Sequence, residues 1–147
     1  MVPRIKGIVQ DPNFMEYYDT SGVKITKFNK TTYALTGNFV IKQRLDHLKF
    51  SVSMAKKMGN GYIPMPVIEK SDYCGTLKTP AIKQQFEDLF AHTTMPFGCE
   101  HEPGDYKILD YVPKMQPGFP PGEYRGEFTF YHDHETLGII RFFIVSN

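Results

Sequence analysis

Cys99-Glu-His-Glu-Pro-Gly-Asp-Tyr-Lys-Ile-Leu-Asp-Tyr111 runs into Val112-Pro-Lys-Met-Gln-Pro-Gly-Phe-Pro-Pro-Gly-Glu-Tyr-Arg-Gly-Glu-Phe-Thr-Phe-Tyr131. Two phrases inside this stretch, Pro103-Gly104 and Pro121-Gly122, each read as a turn feeding a strand. Proline presets φ near −65° and glycine supplies positive φ without a steric penalty. After the first turn, Tyr106, Ile108 and Asp110 alternate with Lys107, Leu109 and Tyr111. After the second, Tyr124, Phe128 and Phe130 alternate with Arg125, Glu127 and Thr129. Period two means strands with one buried face. The link from Pro113 to Pro121 cannot lie inside a sheet, because each proline removes a ladder donor.

Working outward, the same pattern recurs. Arg4 to Val9 reads as a strand ended by Asp11-Pro12-Asn13, and Val23 to Phe28 as a second, turning at Asn29-Lys30. Tyr33, Leu35, Phe39 and Ile41 mark a third, with Gly37 predicting a bulge. Leu48, Phe50, Val52 and Met54 share one face of the next, and Lys56 to Gly61 reads as its turn. Tyr62 to Glu69 is a further strand, confined by Pro64 and Pro66 to a sheet edge or a bulge. Thr136 to Val145 is predicted to carry Leu137, Ile139, Phe143 and Val145 on one face and Ile140, Phe142 and Ile144 on the other. A strand apolar on both faces is central, or lies against a partner or ligand.

One helix interrupts this series. Thr79 suits the N-cap and Pro80 the first helical position. Ile82, Phe86, Leu89 and Phe90 then form one apolar stripe, with Lys83, Gln84, Glu87 and Asp88 facing away. The helix should end near His92. About eight short strands with one helix predict a single all-β domain over residues 1–147, an immunoglobulin-like antiparallel β-sandwich.

Composition narrows the function. The chain has 147 residues, enough to bury a core, with twelve Phe, nine Tyr and no Trp. Seventeen basic and sixteen acidic residues leave a net charge of +1, so no basic excess exists to neutralise the phosphates of a nucleic acid. No run approaches the roughly 18 apolar residues of a membrane span. The motifs of nucleophilic catalysis and of phosphate-binding loops are missing: there is no Gly-x-Ser-x-Gly, and Gly59-Asn60-Gly61 precedes no helix. His132-Asp133-His134-Glu135 places two histidines two apart, as metal ligands are placed on a strand. Its position between two strands favours a polar hairpin tip instead. The expectation is therefore a non-enzymatic protein with no catalytic residues, no metal and no cofactor.

Cysteine usage leaves a choice. Two cysteines do not complete a tetrahedral zinc site. In a secreted chain they pair, and in the cytosol they are two buried thiols. The opening Met1-Val-Pro-Arg-Ile-Lys6 lacks the apolar core of a secretory signal, which alone reads as cytosol. Asn29-Lys30-Thr31 is a glycosylation sequon, which fits secretion.

The stretch from Cys99 to Tyr131 also carries a resemblance. Cys99 followed by Gly104 and Tyr106, then Pro117, Pro120, Gly122, Tyr124 and Arg125, then a hairpin into Leu137-Gly138, resembles the C-terminal half of the ganglioside-activator branch of the ML lipid-recognition superfamily. It is most similar to an insect family of small secreted proteins in that branch, some of them chemosensory. Glu100 stands where that family usually has proline. The resemblance implies a secreted glycoprotein whose signal has been removed, with Cys74 bonded to Cys99 and Asn29 as the glycan site. It implies sheets splayed around an internal apolar cavity. Phe86, Phe90, Met95, Phe97, Met115 and Phe119, with Met54 and Met65, would then line a lipid site rather than pack as core. Methionine, flexible and polarizable, suits such a lining.

The expected function is binding and transport of an apolar ligand, namely a fatty acid, a hydrocarbon-like semiochemical or a glycolipid. A membrane surface or a receptor would be the further contact. The alternative is an extracellular protein–protein accessory module built on the same sandwich with a filled core.

Overall fold

The computed structural model describes residues 3–65, 68–114 and 120–147. Among them run ten strands and two helices, in the order β1 (Arg4–Gln10), β2 (Tyr18–Asp19), β3 (Val23–Lys27), β4 (Tyr33–Ile41), β5 (Lys49–Met58), β6 (Gly61–Pro64), β7 (Ile68–Asp72), α1 (Tyr73–Thr76), α2 (Pro80–Ala91), β8 (Gly104–Tyr111), β9 (Gly122–His132) and β10 (Glu135–Ser146). They form two antiparallel sheets packed face to face. One has the order β1-β10-β9-β5-β6, with β7 also paired to β5. In the other, β4 pairs with β2 and β3, and with β8. The expected all-β sandwich is the architecture, with two more strands and one more helix than the periodicity announces.

The differences have local causes. The strand expected over Tyr62 to Glu69 is two, β6 and β7, which pair in turn with different stretches of β5. β6 stops at Pro64, which has no N–H to continue a ladder; Pro66 lies outside the described residues. β5 itself runs on to Met58, so its turn is the tighter Gly59-Asn60, with Gly59 at φ +63°. The additional helix, α1, is a single turn capped by Asp72, whose Oδ2 accepts from the Gly75 N–H at 2.9 Å.

Three irregularities re-aim side chains. Gly37, at φ +137°, stands where the β4–β8 register shifts, as the sequence predicts. A Cβ at this position would meet the Gly22 carbonyl oxygen at 2.1 Å, so only glycine fits. In β8, Asp110 at φ +48° absorbs the same shift: Ile108 pairs with Gly37 and Tyr111 with Leu35. Tyr111, and not Asp110, therefore returns to the packed face. In β10 a bulge between Thr136 and Gly138 turns Leu137 to the inner face beside Ile140 and Phe142. The alternation expected from the sequence had placed Leu137 with Ile139.

The helix α2 begins at Pro80 as expected, though Thr79 caps it only through its carbonyl, which accepts from Lys83 N–H at 2.9 Å. Its C-terminus is fastened to the free edge of β8. Leu109 N–H donates to the His92 carbonyl at 2.8 Å, Thr94 N–H donates to the Lys107 carbonyl at 3.0 Å, and Lys107 N–H donates to Thr94 Oγ1 at 2.9 Å. A disulfide joins Cys74 to Cys99 across a Cα separation of 5.0 Å and closes a loop that contains all of α2. Among the described residues no helix is long and apolar enough to cross a membrane.

Candidate apolar binding site

Between the sheets lies a cavity of about 280 Å³, walled almost wholly by apolar surface. The β9 and β10 sheet contributes Phe128, Phe130, Leu137, Ile140 and Phe142. The opposite sheet contributes Tyr18, Val23, Leu35, Phe39, Ile41 and Ile108. Period-two alternation places each of these inward, apart from the bulged Leu137. Phe86, Leu89 and Phe90 come from the stripe of α2, and Thr93 and Met95 from the loop after it. Ile8, Thr20, Leu45, Leu48, Tyr73 and His101 complete the wall among the described residues.

No residue of α2 is fully buried, whereas Val23, Leu35, Phe39, Ile41 and Ile108 of the cavity wall are. Its stripe both packs on the buried cluster, through Phe86 and Leu89, and borders the cavity. Phe90, Thr93 and Met95 line both the cavity and an outer groove whose other walls are Glu87, Ala91, Thr94, Pro96 and Phe97. These three side chains thus belong to both spaces. Phe90 is held there by an edge contact with Phe97 at 5.5 Å between ring centroids and by stacking on His101 at 5.4 Å. Phe86 meets Tyr73 edge-on at 5.3 Å.

The structure brings together Phe86, Phe90 and Met95 at the cavity, with Phe97 on the groove outside it. Ile82, from the same helical stripe, does not reach the cavity wall. Met54 and Met65 also lie off it. Met54 packs beyond the cavity over Gly126, where a Cβ would approach its sulfur to 3.1 Å, and Met65 follows β6, its N–H donating to the Met54 carbonyl. Met115 and Phe119 lie outside the described residues. Asn29 is exposed at the turn between β3 and β4, its Oδ1 accepting from the Thr31 N–H at 3.0 Å.

His132 and His134 flank the hairpin tip at Asp133, which has φ +49°. His132 Nε2 lies 2.7 Å from the Asp46 carbonyl, and its ring meets Tyr17 edge-on, so it joins the hairpin to the loop before β5. Among the described residues no group of three or more His, Cys, Asp or Glu side chains is placed to hold a metal ion.

Sequence reasoning passed over Tyr18, Tyr73 and His101. All three are buried aromatic rings bearing a polar atom. Tyr73 donates from its hydroxyl to the Gly98 carbonyl at 3.1 Å, and burial pushes that hydroxyl's pKa up to about 12. Burial also raises the Tyr18 pKa and lowers that of His101, so both stay uncharged at neutral pH. The only signal for His101 was its place two residues after Cys99 in the stretch that organises the fold. Tyr18, in a two-residue strand, gave no periodic signal at all.

A scan against protein-family models finds no match to this chain, and a search of curated proteins finds no significant match either.

Proposed function

We propose that this protein is a secreted, non-enzymatic carrier that holds an apolar ligand between its two sheets, in the manner of the ganglioside-activator-like proteins it resembles. The observation that carries this reading is the apolar cavity, which shares Phe90, Thr93 and Met95 with an outer groove. Its volume lies near the lower end of the range of roughly 300–1,000 Å³ in which small-molecule sites fall. Each methylene it encloses contributes about 0.8 kcal/mol of gross transfer free energy, before the freedom lost on binding is counted. A filled-core accessory module requires no such void, and this favours the carrier over the interaction module.

The disulfide adds support for an oxidising compartment. Exposure of the Asn29 sequon is compatible with a glycan. The test is to purify the protein from a eukaryotic secretory host, extract it with organic solvent and analyse the extract by mass spectrometry, beside titration with the fluorescent probe N-phenyl-1-naphthylamine. A carrier yields a stoichiometric apolar compound, or saturable probe binding that medium-length chains displace. An empty extract together with no probe binding would refute the reading.

A further inference from the structure

The β3–β4 and β5–β6 turns lie at one end of the sandwich. The Arg4 guanidinium stands 5.8 Å from the ring centroid of Tyr33, the first residue of β4. Arg4 pairs with Val145, and Val145 with Glu123, whose carboxylate meets Lys57 at 3.2 Å and Lys6 at 3.5 Å. The sheet order puts β1 and β5 three strand spacings apart, roughly 14 Å.

Exposed apolar side chains gather at this end. Met58 and Ile63 are each 53% exposed, and Phe28 is 56% exposed. The register pairs Met58 with Gly61 and Lys56 with Ile63, so Met58, Lys56 and Ile63 share one face of the β5–β6 hairpin. Phe28 precedes the β3–β4 turn, its N–H donating to the Thr32 carbonyl at 2.8 Å. One exposed apolar residue needs no explanation, but three on two neighbouring turns form a set.

Positive charge gathers with them. Residues 4–6, 27–32, 56–64 and 122–125 hold seven basic side chains and one acid, Glu123. Their net charge is +6, whereas the whole chain carries +1. The rest of the molecule is therefore acidic. At the opposite end Asp46, Glu100 and Glu102 surround Arg44, and Asp133 and Glu135 lie at the β9–β10 hairpin.

We propose that this basic end docks on a bilayer that displays anionic lipid. Met58, Ile63 and Phe28 enter the headgroup region, and the lysines beside them face the anionic head groups. Apolar contact and electrostatic attraction each hold a protein only weakly at a membrane surface, and this end supplies both. A bilayer takes up apolar tips from two separate sheets without a matching pocket for each, which favours it over an acidic protein partner. The docking does not depend on what the cavity holds, so it goes beyond the carrier reading.

The chain has no tryptophan, so Met58→Trp and Val9→Trp each report from a single place. Val9 is 46% exposed and pairs with Arg141, away from this end. Both variants are made in full-length protein with Asn29→Gln, which keeps a glycan off the β3–β4 turn. They are mixed with vesicles of phosphatidylcholine alone, or of equal parts phosphatidylcholine and phosphatidylserine. Emission from Met58→Trp should shift to the blue and be quenched by brominated lipid with the anionic vesicles only, while that from Val9→Trp stays unchanged. In co-sedimentation, Met58→Ser with Ile63→Ser should weaken partition onto the anionic vesicles about tenfold. Lys27→Gln with Lys30→Gln should weaken it about fivefold for each charge removed. Asp133→Asn, which removes a negative charge at the opposite end, should leave it unchanged. No binding to either vesicle overturns the proposal, as does binding that the double serine variant retains in full. A blue shift in Val9→Trp in place of Met58→Trp overturns it too. Binding of N-phenyl-1-naphthylamine by the same protein tests the carrier reading separately, so either can fail while the other stands.

Discussion

The ring of Tyr18 occupies the space that a side chain on Gly138 would need: a Cβ there would lie 2.0 Å from the tyrosine oxygen and 2.2 Å from the ring carbon that bears it. Sheet-to-sheet contact at this end of the sandwich thus depends on a missing methyl group. Gly138→Ala should destabilise the protein by about 2–3 kcal/mol, the cost of overpacking a well-filled site. A urea melt measures it. Tyr18→Phe should not rescue the variant, because the ring carbons collide as well as the oxygen. A stability change within about 0.5 kcal/mol, the usual effect of a surface substitution, would mean that the sheets separate freely here.

The disulfide should be a large stabilising term for a chain of this size. Its cysteines are 25 residues apart, and in the chain-entropy model a loop of that length contributes about 3.5 kcal/mol. Cys74→Ser with Cys99→Ser should lower the urea midpoint accordingly. Because the loop contains α2, the double variant should also exchange probe faster than wild type. Titration of unreduced, denatured wild-type protein should find no free thiol.

The strands were legible because the molecule exposes one face of most of them, and a half-buried strand writes period two into its sequence. The Phe128 and Phe130 strand and the Leu48 to Met54 strand are examples. The bulge at Gly37 was legible for the same reason, since only glycine tolerates that backbone so close to Gly22. Leu137 and Asp110 were misassigned because a bulge leaves no mark when the residue in it is an ordinary one. One extra residue then flips the faces of everything that follows it. The cavity residues on α2 stood out as an apolar stripe, yet a stripe facing a void and a stripe facing a packed sheet have the same periodicity. Tyr18 and His101 were invisible because their role comes from contacts between segments far apart in the chain.

His101 should make stability depend on pH. Burial depresses its pKa, so the folded protein resists a proton that the unfolded chain accepts near pH 6.5. The contribution is therefore complete above pH 6.5 and is lost as pH falls towards the lower folded-state value. Phe90 and Tyr73, which pack against the ring, carry no charge at these pH values. The flanking Glu100 and Glu102 are paired with Arg44 across the Leu45–His101 bridge. Urea midpoints at pH 7.5 and pH 5.5 should differ more in wild type than in His101→Phe. Equal pH sensitivity in the two proteins would show that His101 is protonated as easily folded as unfolded.

The hairpin histidines should separate. His132 is tied to the Asp46 carbonyl at 2.7 Å, whereas His134 is exposed. Replacing His132 with Ala should cost about 1 kcal/mol, a typical net hydrogen-bond contribution. The same change at His134 should stay within about 0.5 kcal/mol. Thermal melts of the two single variants decide this, and equal effects would show that the Asp46 contact contributes nothing.

Phe90 offers the sharpest test of the cavity itself. It belongs at once to the inner wall, to the outer groove and to the contact with Phe97. Truncating a phenylalanine in a packed core costs roughly 3–5 kcal/mol, because it creates a void that the surroundings fill only in part. At Phe90 the void already exists and the side chain is only half-buried, so Phe90→Ala should cost less, about 1–2 kcal/mol. Ile144→Ala is the comparator. Ile144 is 8% exposed and does not border the cavity, and its loss should cost about 2–5 kcal/mol. The kinetic consequence should be the reverse. Removing a ring that borders both cavity and groove should speed probe entry and exit severalfold in stopped-flow fluorescence, whereas Ile144→Ala leaves both rates unchanged. If Phe90→Ala proves as costly as Ile144→Ala and leaves the rates as they are, Phe90 is core, and ligand must reach the cavity by another route.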